Sequence, residues 1–253
     1  MKILLTNDDG YKAHGINEMF KGLSENHDTT MIAPDRERSS CGHAITLTKA
    51  LRLEEFKDNC FHCSGFPADC ILMGVGHVFK GNLPDIVISG PNHGANLGQD
   101  RFYSGTMAAA REASFRNLPA ISISLALGES RNELVFDNCH NYISKLLDAG
   151  IKDLIPKGAI LNINVPNIDA SEIKGVKLTR PGLQVYTEDV LEREDFRGSK
   201  YYWVGGRYDG YQDLPGSDCN EVYNGFISVD LQFVCSNHGE ANMEEIKRVI
   251  NCF

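Results

Sequence analysis

The chain is expected to fold as an α/β protein on a doubly wound, mostly parallel sheet carrying a β-hairpin C-terminal extension. Three observations lead there. Strand-like and helix-like segments alternate through the first two-thirds of the 253 residues. Pro84–Ser89 (PDIVIS) is short and largely apolar, as in a strand buried on both faces. Three polar, motif-rich loops begin where strands end, after Asn7, Ala33 and Ser89, on the side where open α/β sheets bind ligands.

Taken in order, Lys2–Thr6 is an apolar run that breaks at Asn-Asp-Asp-Gly, a strand followed by a turn. His14–Asn26 places Ile16, Phe20 and Leu23 at helical spacing, and Thr29–Ala33 is the next strand. Pro34–His43 is a polar loop; Ala44–Leu53 and Asn59–Ser64 are strand-like. Pro67–His77 is a helix with proline at its start. A glycine- and asparagine-rich loop, Gly90–Gly105, feeds a helix running to Arg116. Ala120–Leu125 is a strand, Asn132–Gly150 a helix and Ala159–Val165 a strand. Past Asn167, Val176–Tyr186 and Lys200–Tyr211 alternate polar with apolar residues and suggest hairpins. Gly225–Val234 closes as a strand and Met243–Cys252 as an amphipathic helix. We therefore expect one domain over 1–253, with a core at 1–166 and an extension at 167–253 that serves as an oligomerisation arm or substrate wall.

Composition restricts the function classes. The formal charge of −9 provides no basic field for a nucleic-acid polymer, although a bound cation can still attract a small phosphate ester. Met1–Thr6 is too short for a signal peptide or membrane span, so a cytoplasmic protein without a membrane partner is expected. Eight scattered cysteines read as reduced thiols, and the lone Cys60-x-x-Cys63 as two thiols on a strand rather than a zinc or redox site.

Asp8 and Asp9 are the most suggestive pair. Adjacent carboxylates repel unless a cation or proton lies between them, although an Asp-Asp-Gly turn also accounts for them. Ser39 in the second loop and Asn92 and Asn96 in the third add hydroxyl and amide oxygens, donors that suit Mg²⁺, Mn²⁺ or Ca²⁺ better than zinc. His43 and His93 are read as solvated loop residues. Tyr103–Met107 (YSGTM) opens a helix whose start suits an anion, while Ser104 or Thr106 also serves as an ordinary cap.

Together, NDDG at Asn7–Gly10, Pro34–Ser39 with Gly42–Leu47 (GHAITL), Gly65–Cys70 (GFPADC), Ser89–Gly98, Tyr103–Thr106 and Leu161–Pro166 (LNINVP) resemble the SurE survival-protein nucleotidases, in sequence order. Gly216–Asp218 and Gly225–Val229 resemble that family's late motif. The resemblance implies a Rossmann-like core, a C-terminal part exchanged between subunits of a homodimer or homotetramer, and hydrolysis of nucleoside monophosphates. It implies one Mg²⁺ or Mn²⁺ per subunit on Asp8, Asp9, Ser39 and Asn92. The anion-binding turn falls on Ser104, Gly105 and Thr106, and Asn96 matches an active-site asparagine. The family's Thr-Pro after the late strand is here Val229-Asp230-Leu231, so His238 in the tail is only a candidate site residue.

Several readings stay open at this level. Asp8 can act as general base, nucleophile or ligand alone. A haloacid-dehalogenase-like phosphatase needs a second aspartate two positions after the first, where this chain has Gly10. A non-catalytic metal-dependent nucleotide sensor or an oligomeric scaffold would use the same residues differently. No spacing rule separates 5′- from 3′-nucleotides or from short polyphosphate. Tyr186, Tyr201, Tyr202 and Trp203 can stack on a base, with packing of a β-arm the preferred reading.

Overall fold

A computed structural model describes residues 1–128, 134–187, 189–234 and 243–251. The strands and helices, in chain order, are β1 (Lys2–Thr6), α1 (His14–Ser24), β2 (Asp28–Pro34), β3 (Leu53–Lys57), β4 (Cys60–Cys63) and α2 (Pro67–Met73). These are followed by β5 (Ile86–His93), α3 (Gly105–Ser114), β6 (Ala120–Ala126), α4 (Asp137–Asp148) and β7 (Ala159–Pro166). The remainder comprises β8 (Val176–Leu178), β9 (Gln184–Tyr186), β10 (Asp189–Glu194), β11 (Lys200–Gly205), β12 (Tyr208–Tyr211), α5 (Asp218–Tyr223), β13 (Ile227–Phe233) and α6 (Met243–Ile250).

The main sheet has the order β3-β4-β2-β1-β5-β6-β7-β13-β8. From β4 to β7 it is parallel, and its central strands are apolar on both faces, as expected when helices cover both sides. One face packs against α1, α4 and α6 through Ile16, Met19, Leu23, Tyr142, Ile143 and Ile246. The other face packs against α2 and α3 through Cys70, Ile71, Met107, Ala110 and Ala113. The sheet therefore winds both ways from β1, whose neighbours are β2 and β5. That reversal leaves a crevice beyond the carboxyl end of β1.

β5 carries one irregularity that matters. Ser89 pairs with Ser122 and Asn92 with Ser124, so three steps on β5 match two on β6. The bulge sits at Gly90, whose φ of +122° is closed to ordinary side chains, and a Cβ there would run into the Ile123 carbonyl. The extra residue brings Asn92 back into step with Ser89.

The expected fold class is observed, and the departures are local. Ala44–Leu53 is not a strand: from Ala44 to Arg52 the chain joins no strand and is mostly exposed, and β3 starts at Leu53. Its alternation is real, but Asp69 holds it instead, accepting from the Thr46 backbone at 2.9 Å and the Thr46 hydroxyl at 2.7 Å. The Val176–Tyr186 segment divides. β8 joins the edge of the main sheet beside β13, while β9 pairs with β12. β10 and β11 form a separate antiparallel hairpin, exposed along its whole length. α2 ends at Met73 and continues as a wider turn over Gly74–Val78. The helix expected at Asn132–Gly150 is α4, with residues 129–133 outside the described residues. α5 was not anticipated, because six residues hold too few turns to show a period.

Cys60 and Cys63 stand three apart on β4 and pack into the cores on opposite faces of the sheet, which removes any shared zinc or disulfide geometry. Among the described residues, no helix is long and apolar enough to cross a membrane.

Candidate active site

The turn after β1 is held by its own asparagine. The Asn7 side chain donates to the Gly10 carbonyl at 3.0 Å, and the Gly10 N–H returns a bond to Asn7 Oδ1 at 3.2 Å. Gly10 has φ +94°, and a Cβ there would meet the Arg36 backbone at 2.9 Å. The Arg38 N–H donates to the Asp8 carbonyl at 2.7 Å, which fastens the loop after β2 to this turn. The turn reading was thus correct, and it is also what fixes the two carboxylates.

Asp8 is 4% exposed. The Thr106 hydroxyl donates to Asp8 Oδ1 at 2.5 Å, and Gly105 lies so close that a Cβ would stand 2.8 Å from the Asp8 Cβ. Burial pushes the Asp8 carboxyl up from 3.8 to about 6, the Thr106 bond opposes that rise, and the nearby Asp9 charge adds to it. Burial also raises Asp9, whose carboxylate accepts from the His93 N–H at 3.1 Å. Among the described residues neither carboxylate has a basic ion-pair partner. Asp8 is therefore a buried carboxylate with no cationic partner among the described residues, while His93 partly offsets the charge of Asp9.

Asp8, Ser39, Asn92, Asn96 and Ser104 line one cleft of about 690 Å³, together with Asp100, Tyr103 and Tyr186. Asn92 donates its amide N–H to the Gly94 carbonyl at 2.8 Å, leaving its Oδ1 as an acceptor. Ser39 is exposed at the rim, and its hydroxyl donates to Glu37 at 2.7 Å, leaving the oxygen lone pairs available. Asp9 lines an adjoining cleft, which Ser39 and His93 share with the first. Among the described residues no group of three or more His, Cys, Asp or Glu gathers at one point. Two carboxylates with a hydroxyl and an amide oxygen make the available donor set, and hard divalent cations accept such oxygens.

The start of α3 has a divided role. The Ser104 hydroxyl caps the helix by accepting from the Met107 N–H at 3.0 Å. Thr106 turns both its hydroxyl and its backbone toward Asp8, so it positions that carboxylate instead of simply facing an anion. Asn96 is pinned from below. Its N–H donates to Asn164 Oδ1 at 2.8 Å, its amide to the Ser124 hydroxyl at 2.7 Å, and its carbonyl accepts from Asn162 and Asn164. His43 sits apart from the cleft and bonds Glu112 at 2.7 Å. His238 lies outside the described residues.

Sequence reasoning placed Gly216–Asp218 in a motif but missed the role of Asp218, and it missed a second feature altogether. Asp218 is wholly buried and accepts from the N–H groups of Gly98 at 2.9 Å, Gly182 at 2.7 Å and Cys219 at 2.8 Å. It ties the loop after β5 to the extension, and Gly-Ser-Asp before a short helix was the available signal. Asp218→Ala leaves three donors unpaired and lowers the unfolding free energy by about 3 kcal/mol or more, measured by denaturant unfolding. The second feature is a tyrosine-lined cleft that opens from the first. Tyr186 belongs to it, whereas Tyr201, Tyr202 and Trp203 stand exposed on β11, whose partner is β10 alone.

The sequence matches the family model "Survival protein SurE" over residues 3–188. It is 39% identical over 240 residues to the 5′-nucleotidase SurE of Myxococcus xanthus, covering 94% of this chain and 90% of that protein. It is 41% identical over 231 residues to the 5′-nucleotidase SurE of Geobacter sulfurreducens, covering 90% and 86%. The crystal structure of the SurE protein from Aquifex aeolicus superposes with a TM-score of 0.80 at 34% identity, covering 98% of each chain. The crevice beyond β1, the carboxylate pair and the full-length match agree, and the chain belongs to the survival protein SurE family.

Proposed function

We propose that this protein is a metal-dependent phosphomonoesterase that hydrolyses nucleoside 5′-monophosphates to nucleoside and inorganic phosphate. The observation that carries the reading is Asp8: a buried carboxylate without a cationic partner among the described residues, fixed by Thr106 in the lining of a cleft. Relatives that cover most of this chain are named 5′-nucleotidases, which supports the activity class. Asp8, Asp9, Asn92 and Ser39 are the residues to hold one Mg²⁺ or Mn²⁺ per subunit. When bound, such an ion supplies charge for a phosphoryl oxygen and acidifies a water.

Hydrolysis breaks the P–O ester bond, places a water oxygen on phosphorus and returns a proton to the departing nucleoside oxygen. Asp8 serves in one of two ways. As base it takes a proton from the attacking water; as nucleophile it attacks phosphorus and is later released by water. The stereochemistry at phosphorus separates them: one in-line displacement by water inverts an isotopically chiral phosphate, whereas two displacements by way of Asp8 retain it. The backbone at Gly105, the Ser104 turn and Asn96 are the groups assigned to the equatorial phosphoryl oxygens, where charge spreads during transfer.

We assign 3′-nucleotides and short polyphosphate as further substrates, because the open cleft presents the same phosphoryl site to each. The apolar side chains exposed along β10 and β11, among them Trp203 and Val204, support a homodimer or homotetramer. Free cysteines support a reducing, cytoplasmic setting. Phosphate release from a panel of 5′- and 3′-nucleotides and polyphosphate, with Mg²⁺, Mn²⁺ or chelator, tests the proposal. Metal-independent release, or none from any phosphomonoester, contradicts it.

A pH dependence follows from the Asp8 environment. Below about 6 the metal-free carboxyl is protonated and the proton competes with the cation. Affinity for Mn²⁺ therefore falls as pH drops through that range, which calorimetric titration at pH 5 and pH 8 measures.

A further inference from the structure

His43 is not a solvated loop residue: its side chain is largely buried against α3, outside the cleft. Its Nε2 lies 2.7 Å from Glu112 Oε2. Burial would raise the Glu112 carboxyl, but the bonds from His43 and Arg116 hold it below its usual value, so it stays an acceptor. His43 Nε2 therefore donates, and Nδ1 is left to accept from the Arg111 guanidinium at 3.5 Å. Phe115 stacks on the imidazole at 5.6 Å between centroids, with an interplanar angle of 4°. Arg111 and Glu112 of α3, with Phe115 just beyond it, thus hold one ring in one orientation.

What the ring holds in turn is a strap that starts at Arg38. The Arg38 N–H donates to the Asp8 carbonyl at 2.7 Å, and the Gly42 N–H donates to the Tyr103 carbonyl at 2.8 Å. Between those anchors Ser39 and Ser40 line the cleft and, among the described residues, make no backbone–backbone hydrogen bond. The Ser39 hydroxyl bonds Glu37, its neighbour in the same loop. Ser40 has φ +55°, a conformation that residues with a side chain keep only when their surroundings enforce it. The strap is not self-supporting, and where Ser39 stands depends on its two ends. α3 governs both sides of the site: Thr106 holds Asp8, and Glu112 holds the far end of the strap.

We propose that His43 is a positioning residue for the candidate cation site: its bond to Glu112 fixes the strap that sets where Ser39 stands relative to Asp8. The inference rests on the reading of Ser39 as a cation ligand and deepens it. It places part of the control of metal affinity in a residue that touches neither metal nor substrate.

Calorimetric titration of the chelator-stripped full chain with Mn²⁺ reads this without turnover. His43→Ala weakens Mn²⁺ binding about 10- to 100-fold, as loss of the support behind a ligand does. His43→Gln, whose amide still donates to Glu112, stays near wild type. Glu112→Ala releases the same latch from the helix side and repeats the loss, so the test does not hang on one variant folding. In a Ser39→Ala background, His43→Ala changes little further, because the support has no ligand left to place. A residue that merely stabilised the fold would weaken both backgrounds equally. That result overturns the proposal, as does wild-type Mn²⁺ affinity in either His43→Ala or Glu112→Ala. The expected pattern in a protein that releases phosphate from no ester supports the latch and contradicts the hydrolase reading instead. No Mn²⁺ binding by the wild type contradicts the cation reading, and this inference falls with it.

Discussion

Asp8→Asn lowers phosphate release from nucleoside monophosphates by about 10³-fold or more, by removing both a metal ligand and the base or nucleophile. The fold survives, because the amide oxygen still accepts the Thr106 hydroxyl that anchors this position. The same change has an opposite effect on stability. In the metal-free wild type the carboxyl titrates near 6, against 3.8 in the unfolded chain. Between those values the folded state binds more protons, so stability is greatest below 3.8 and falls as pH rises through about 6, by about 3 kcal/mol. Asp8→Asn loses that fall. Denaturant unfolding in chelator at pH 5 and pH 8 shows the variant gaining on the wild type as pH rises. A variant destabilised at both pH values by the same amount would mean that the carboxylate is already compensated.

Gly105→Ala produces a loss of about 10² in kcat with little loss of fold. Its backbone lies in the ordinary range, so the glycine is needed for space and not for conformation. An added Cβ stands 2.8 Å from the Asp8 Cβ, 2.9 Å from Cys41 Sγ and 3.0 Å from Asp8 Oδ2. Real Cβ atoms do not tolerate such contacts, and either α3 slides along the sheet or Asp8 turns away. Displacement of a catalytic group by about 1 Å is enough for a 10²-fold loss. Gly105→Ala combined with Cys41→Ala relieves one of the three contacts and leaves both Asp8 contacts, so it recovers little. Steady-state kinetics on the two variants checks this. Full recovery in the double variant would show that Cys41, and not Asp8, sets the spacing.

Much of the architecture was legible because its signals are local. Ile3–Leu5 and Ile86–Ile88 are wholly apolar, as a doubly covered parallel strand requires, and polar and turn residues follow each. Loops that leave strand ends of one sheet must meet at one edge, so the gathering of Asp8, Ser39, Asn92, Asn96 and Ser104 followed from topology. What stayed hidden depends on pairing across long separations. The Thr106 bond to Asp8 joins residues 98 apart, and nothing near either residue announces it. The tyrosine wall needs β9 to pair with β12 and α5 to pack beneath, so its members are spread from Tyr186 to Tyr223. Ala44–Leu53 failed for the converse reason: alternation identifies a chain that can be a strand, and here Thr46 is held by the distant Asp69 and not by a neighbouring strand.

The central claim is that the carboxylates at the end of β1 hold a cation for phosphomonoester hydrolysis. The most direct measurement titrates Mn²⁺ into chelator-stripped protein while following phosphate release from adenosine 5′-monophosphate. The account predicts no release without metal, a rate that saturates at one ion per chain, and no recovery in Asp8→Asn at any concentration near that affinity. Undiminished release in chelator, or an equal metal-dependent rate from Asp8→Asn, would contradict it.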